Sequence, residues 1–407
     1  MRCRISNKIR IGVVGAGIAA VSAHLPALSQ SSDFELAALC DRSRERVEAV
    51  ARKWNVPYIA NQLHEFLGTP GLEAVIVATP PDSHAEIALS CIDRGLHVLL
   101  EKPMAPTARE CEQIVLKAHE KDVHVAVNHE KRFHPTFHEI QRLLQSGYVG
   151  QPFFCGVHWA SNVKLAPDQF IPEGFGEGYR WRWRNHRIGG GIVHDHLPHY
   201  VDLVSHWTGA HPVAISAQTL NVARDLLSWP PQESVWEDFG LTVVRFSNDF
   251  LLRLETGTVG RSLSPLWSLG SGIGEWTEYG YILGTQGQLL FDLLPWDSSE
   301  NGRIAIWQLN RAIHEKTGWA FVEQREPTRR EGSPAGAAST MFGDLLAGFA
   351  QLIRGEPTEI ATAKDGLVAV AAVEACYRSA SMRQESPLES EYLPVPISDN
   401  RNGAENA

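Results

Sequence analysis

Paired cysteines are missing from this 407-residue chain. Its six cysteines (Cys3, Cys40, Cys91, Cys111, Cys155 and Cys376) are scattered, with no C-x-x-C. That excludes a disulfide framework or a thiolate zinc cluster and suits a reducing, cytoplasmic compartment. No apolar run approaches the ~18–20 residues of a membrane span. Positive charge is in deficit: 37 Lys and Arg against 47 Asp and Glu give a net charge of −10. Nucleic acids and anionic membranes select basic surfaces, so neither is expected as the main partner. A local basic patch, YRWRWRNHR at residues 179–187, is the notable exception, and no DNA-binding motif is present.

What remains is the composition of a water-soluble globular chain, 43% hydrophobic and 21% charged, with length for two cores. The N-terminus imitates a signal peptide, because Arg2, Arg4, Lys8 and Arg10 precede IGVVGAGIAAVSA. It reads better as a first strand, IRIGVV, and its turn. The turn is G-x-G-x-x-A, spanning Gly15, Gly17, Ile18 and Ala20. Gly15 permits a tight turn, Gly17 lets backbone approach a pyrophosphate, and Ala20 is small enough for close helix–strand packing. The helix that follows offers free N–H groups to phosphates, and Pro26 is expected to kink it.

A second strand, ELAALC, ends at Asp41. An acid there can accept both ribose hydroxyls of an adenosine, which favours NAD. Arg42 and Arg44 follow and are placed to hold the 2′-phosphate of NADP instead. Asp41 also suits the N-cap of the helix SRERVEAVARKW, with Val47, Val50, Ala51 and Trp54 on one face. Further strands alternate with helices: AVIVATPP, HVLLEKP and HVAVNHEKRF. Nearly continuous apolar strands fit a doubly wound parallel sheet covered on both faces. Ligands sit at the carboxyl ends of such strands, where the polar groups here are Thr79, His84, Glu101, Lys102 and Asn128.

At EKP the chain becomes recognisable. GVVGAG, ATPPDSH, GLHVLLEKP, NHEKRFHP, GGGIVHDHLPH, YILGTQG and DGLVAVAAVEACYRSA occur in an order that resembles the Gfo/Idh/MocA family of nicotinamide-dependent oxidoreductases, over nearly the whole chain. The resemblance implies an α/β chain: an N-terminal Rossmann domain (1–134), then a substrate-binding and oligomerisation domain (135–393) built on an open, mainly antiparallel sheet. A disordered tail (394–407) is expected, since PVPISDNRNGAENA lacks apolar anchors. Alternating runs after Gly150 agree independently: FFCGVHWASNV, EDFGLTVVRFSN, DFLLRLETGTV, YGYILGTQGQLLF and RIAIWQL. In the family the open sheet face builds a homodimer or homotetramer, which is therefore implied here.

The stretch GGGIVHDHLPHYVD carries the chemistry. On its own it suits an N-cap (Asp195) and a core histidine (His199). In the family the motif D-x-G-x-H falls on Asp195 and His199, one helical turn apart on one face. Pro198 is tolerable only in a first turn, so the helix is expected to run from near Asp195 to near Gly209, its first turn pointing at the cofactor cleft. The resemblance implies that His199 is a general base for a secondary alcohol, that Lys102 polarises the same oxygen, and that Asp195 supports them. Leu197 stands where the family has glycine, which implies a reshaped pocket. His194, His196 and His199 are not spaced to converge on one ion from a single helix, so no metal is expected. Trp159, Trp181, Trp183 and Arg184 are candidates to line a sugar or polyol site, since aromatic faces suit sugar rings and arginine suits hydroxyls or carboxylates. The expected reaction is hydride transfer between NAD, or NADP, and a ring alcohol of a sugar, glycoside or cyclic polyol. Two alternatives within the family are an NAD-dependent glycosidase acting by transient ring oxidation and a non-catalytic NAD(P)-sensing regulator.

Overall fold

Six short, nearly all-apolar strands make a parallel sheet: β1 (Ile9–Val14), β2 (Phe34–Cys40), β3 (Tyr58–Ala60), β4 (Ala74–Val77), β5 (His97–Leu100) and β6 (Val125–Val127), in the order β3-β2-β1-β4-β5-β6. The computed structural model describes residues 8–161, 190–222, 236–257, 276–293, 302–309, 319–322, 337–389 and 392. Chain order reverses between β1 and β4, which opens a crevice at the strands' carboxyl ends. Helices α1 (Leu25–Gln30), α2 (Arg44–Trp54), α3 (Leu63–Phe66), α4 (His84–Asp93) and α5 (Ala108–Glu120) connect the strands.

Two local expectations are corrected. Asp41 does not cap α2: Ser43 does, its side chain accepting from the Arg46 N–H. The run HVAVNHEKRF is not one strand. β6 stops at Val127 and Glu130–Phe133 winds into a 3-10 turn, because charged side chains have no place inside a sheet covered on both faces. Pro26 is met by a widened π-turn at Ala20–His24, directly before α1. Such a turn absorbs the hydrogen bond that proline cannot make.

Helix α6 (Pro135–Gln145) leads to a nine-stranded sheet of β7 (Pro152–Ser161), β8 (Pro212–Leu220), β9 (Phe239–Phe246), β10 (Leu251–Gly257), β11 (Trp276–Gly284), β12 (Gly287–Leu293), β13 (Arg303–Gln308), β14 (Trp319–Val322) and β15 (Ser386–Pro387). Its order is β14-β13-β12-β11-β7-β10-β9-β8-β15, antiparallel throughout except where β7 meets β10. In β9, Gly240, Thr242, Val244 and Phe246 are buried while Leu241 and Arg245 face outward. One face is thus covered, by α7 (Ile192–Thr208) and α9 (Ala363–Met382).

The end of the chain returns to the first sheet. Helix α8 (Ala337–Arg354) stacks Phe349 on Phe34 at 5.9 Å, and Arg354 pairs with Asp33 at 2.8 Å. The Val127 N–H then donates to Ala361 O at 2.9 Å, and α9 packs on α5. The C-terminal helices therefore clamp both sheets and fix the crevice between them. No helix among the described residues is long and apolar enough to cross a membrane.

Candidate active site

A cavity of about 900 Å³ runs from the glycine turn after β1 to the first turns of α7. At one end Gly15, at φ +102°, packs so closely that a Cβ would lie 2.5 Å from Ala78 O, whereas a Cβ on Gly17 would meet nothing within 4 Å. Gly17, Ile18, Asp41, Arg42 and Thr79 all line this end. Asp41 Oδ2 accepts from the Ala16 N–H and Oδ1 from the Ser43 N–H, both at 2.8 Å, so the carboxylate ties the glycine turn to the end of β2. The helix start decides which arginines attend it. Arg44 points outward to Glu48, while Arg46 returns to Asp41 at 3.5 Å and lines the cavity.

Three predicted cofactor residues stand behind the cavity wall. Ala20 is fully buried. His84, also fully buried, sits between Thr79 O (2.7 Å) and Pro103 O (3.0 Å), joining the loops after β4 and β5. Asn128 donates to Glu101 Oε1 at 2.8 Å, and His24, from the π-turn, meets the same oxygen at 2.6 Å. Burial opposes ionisation of Glu101. The hydrogen bond and charge of His24, with the Asn128 amide and the Lys102 ammonium, nevertheless hold its carboxyl below the usual range.

At the other end Lys102 Nζ donates to Asp195 Oδ1 at 2.8 Å and to the Asp195 carbonyl at 2.9 Å. His199, one turn along α7, is 4% exposed. Burial, then the ammoniums of Lys102 and Lys131 and the rings of His129 and His196, push its pKa well below the ordinary imidazole value. It is therefore neutral, as a proton acceptor must be. His196 lines the cavity with its ring stacked on Trp159 at 3.5 Å. Leu197 points the other way, into the core, so it does not reshape the pocket as expected. Trp181, Trp183 and Arg184 lie outside the described residues. Among the described residues no cluster of three His, Cys, Asp or Glu side chains is arranged to hold a metal.

Helix α7 begins at Ile192, earlier than Pro198 suggested, and carries that proline in its interior. Glu237, just before β9, makes the early start possible. Its carboxylate accepts from Gly191 N–H (3.3 Å), Val193 N–H (2.9 Å) and the Tyr377 hydroxyl (2.9 Å). The first-turn amides thus face Glu237 rather than the cleft. Close packing demands glycine there: a Cβ on Gly190 would fall 2.0 Å from the Tyr377 hydroxyl, and one on Gly191 2.2 Å from Glu237 O. Glu237→Ala should destabilise the protein by ~2–3 kcal/mol, since it removes a buried acceptor from three donors. Urea unfolding measures this; an unchanged midpoint would mean that the glycines alone set the turn.

Glu130, Lys131 and Arg46 are cavity residues that sequence reasoning did not single out, and His196, weighed there only as a metal ligand, also lines the cavity. Glu130 and Lys131 belong to the NHEKRFHP motif, which was the available signal. Lys131 is engaged by both Glu278 oxygens at 2.6 Å, and Tyr200 also donates to that carboxylate.

Comparison with known proteins agrees with this architecture. The family described as "Oxidoreductase family, NAD-binding Rossmann fold" (GFO_IDH_MocA) matches residues 9–129, and the GFO/IDH/MocA C-terminal domain matches residues 137–289. The chain belongs to the Gfo/Idh/MocA oxidoreductases and carries their NAD-binding Rossmann domain. It is 28% identical over 330 residues to "Uncharacterized oxidoreductase sll0816" of Synechocystis, covering 80% of each chain. It is also 28% identical over 215 residues to scyllo-inositol 2-dehydrogenase (NADP(+)) IolW of Bacillus subtilis, covering 53% of this chain and 55% of that protein. A solved levoglucosan dehydrogenase, in complex with NADH and levoglucosan, shares the fold at TM-score 0.75 and 17% identity, covering 94% of this chain and 99% of that one.

Proposed function

We propose that the protein transfers a hydride between a nicotinamide dinucleotide and a ring secondary alcohol of a sugar, glycoside or cyclic polyol. One observation carries this reading. Lys102, beyond β5, is bonded to Asp195 of α7, with His199 one turn on, and all three face a cavity that begins at the glycine turn. The residues fit the dinucleotide: Gly17 leaves open space beside the helix start, where phosphates would lie. Gly15, Gly17, Ile18 and Asp41 would hold its adenosine half, Thr79, Glu101 and Lys102 its nicotinamide half. When bound, it supplies the hydride acceptor. The chain's own residues then manage the proton. His199 takes it from the hydroxyl, Lys102 stabilises charge developing on the oxygen, and Asp195 fixes the ammonium from two directions. Asp41 favours NAD, and Arg42 and Arg46 beside it admit a 2′-phosphate. Inositol- and levoglucosan-oxidising relatives support a polyhydroxylated ring as substrate.

The outward face of the nine-stranded sheet is the surface on which a second copy would pack. It presents Leu241, the stacked pair Phe154 and Tyr281, and His158 stacked on Tyr279. Screening cyclic polyols, sugars and glycosides with NAD+ and NADP+, by absorbance of the reduced nicotinamide, tests the activity. Reduction by at least one ring alcohol is expected. Glycoside cleavage without net reduction would replace dehydrogenation by the oxidation–elimination route. Tight dinucleotide binding without any turnover would overturn both.

A further inference from the structure

Glu130 is the unexplained carboxylate of the cavity. It opens the 3-10 turn after β6, is 4% exposed, and lines the same wall as His199. Its Oε1 lies 3.8 Å from His199 Nε2, and its Oε2 is buried without a hydrogen-bond partner among the described residues. The neighbouring carboxylates are engaged elsewhere: Asp195 by Lys102, Glu101 by His24 and Asn128, Glu278 by Lys131 and Tyr200. The neighbouring ammoniums are taken by those same partners. A buried carboxylate with no cation of its own is costly, and one facing a cavity marks a candidate functional group.

We propose that Glu130 is the group on which the proton of the substrate hydroxyl comes to rest, with His199 as its carrier. The inference rests on the dehydrogenase reading above. The substrate O–H bond breaks, and its electron pair becomes the second bond of the carbonyl. The proton binds His199 in transit and ends on a Glu130 oxygen, while the carbon's hydrogen leaves with its own pair to the oxidised dinucleotide. Alcohol, oxidised dinucleotide and carboxylate thus become carbonyl, reduced dinucleotide and carboxylic acid. Solvent base then restores Glu130.

Relative basicity gives the direction. His199 faces Lys102 from the loop after β5, Lys131 and His129 from the segment after β6, and His196 on its own helix, and is a poor base in that company. Glu130 is pushed up to about 7 by burial, with Glu101 adding to the rise and Lys102 and Lys131 opposing it. Of the two, the carboxylate is the better resting place. The 3.8 Å gap is wide for a hydrogen bond, as catalytic contacts often are before substrate closes them.

Glu130→Gln and Glu130→Asp, made in the full chain, test this with two readouts. The first needs no substrate. A carboxyl raised from its unfolded value favours folding while protonated and opposes it once ionised. The wild type should therefore lose stability relative to Glu130→Gln as pH rises from about 4.5 through about 7. The thermal midpoints should nearly coincide at acid pH, with the glutamine variant several degrees higher at pH 8.5. A difference that does not change with pH overturns the proposal. The second readout is turnover of an alcohol found by the screen. Glu130→Gln should lower kcat at least about 30-fold at little change in KM and abolish the rise of kcat through pH 7. Glu130→Asp should partly restore both. Undiminished turnover, or a retained pH limb in the glutamine variant, overturns the relay alone. A wild type that oxidises no alcohol removes the reading on which it rests, and the relay with it.

Discussion

Replacing His199 by asparagine should lower turnover by ~10²–10⁴-fold while dinucleotide affinity stays within a few-fold of the wild type. Asparagine keeps a polar side chain of similar reach but has no basic nitrogen. Because His199 sits at the far end of the cavity from the glycine turn, its loss should not disturb the adenosine half. Burial and four neighbouring cationic or titratable groups hold the imidazole neutral to well below its ordinary pKa. Its own protonation should therefore not limit the wild type in the neutral range, and an acidic limb near pH 7 belongs to another group. Stopped-flow absorbance of the reduced nicotinamide, beside a fluorescence titration with NADH, separates the two effects. Equal losses of turnover and NADH affinity would mean that His199 serves the cofactor rather than the alcohol.

Local features of this chain were legible in sequence, and long-range ones were not. The spacing of Gly15 and Gly17 after an apolar β-branched run specifies a turn, because few residues tolerate φ +102° with a carbonyl at contact distance. The helical spacing of Asp195 and His199 likewise placed both on one face. Their partners are remote. Lys102 is 93 residues from Asp195, and the Glu237 carboxylate that starts α7 is 44 residues beyond Val193. No periodicity reports such pairings. Hence the helix was expected to begin near Asp195, on the strength of Pro198, although an acceptor from a distant segment, Glu237 just before β9, allows an earlier start. His84 misleads for a similar reason. A strand-end histidine looks available for a ligand until both its nitrogens are found on backbone carbonyls. Leu197, standing where the family has glycine, implied a reshaped pocket, yet its side chain is wholly within the core. β8 escaped notice because PVAISAQTL carries small and polar residues that dilute its alternation, and its sheet position is fixed by pairing with β9. The return of α8 to the first sheet is set by Phe349 meeting Phe34, again a contact between distant segments.

Gly17→Val should abolish dinucleotide binding and leave the fold intact. The two glycines of the turn differ in what they tolerate. Gly15 has φ +102° and backbone atoms of Ala78 where a Cβ would go, so any side chain there strains the turn itself. Gly17 is not in the left-handed region, and a Cβ at that position meets no protein atom within 4 Å. A valine at 17 should therefore shift unfolding free energy by less than about 1 kcal/mol. Its branched side chain would nevertheless stand in the cavity beside Ile18, at the helix start where phosphate would lie. Excluding a pyrophosphate from those donors should weaken NADH binding at least about 100-fold, or roughly 3 kcal/mol. Isothermal titration with NADH measures the loss, and the thermal midpoint without ligand monitors the fold. Gly15→Ala should show the converse pattern, a lowered midpoint before any question of ligand arises. If the Gly17 variant bound NADH like the wild type, phosphates would not lie on this turn, and the cavity from Gly17 to His199 would have to accommodate some other molecule.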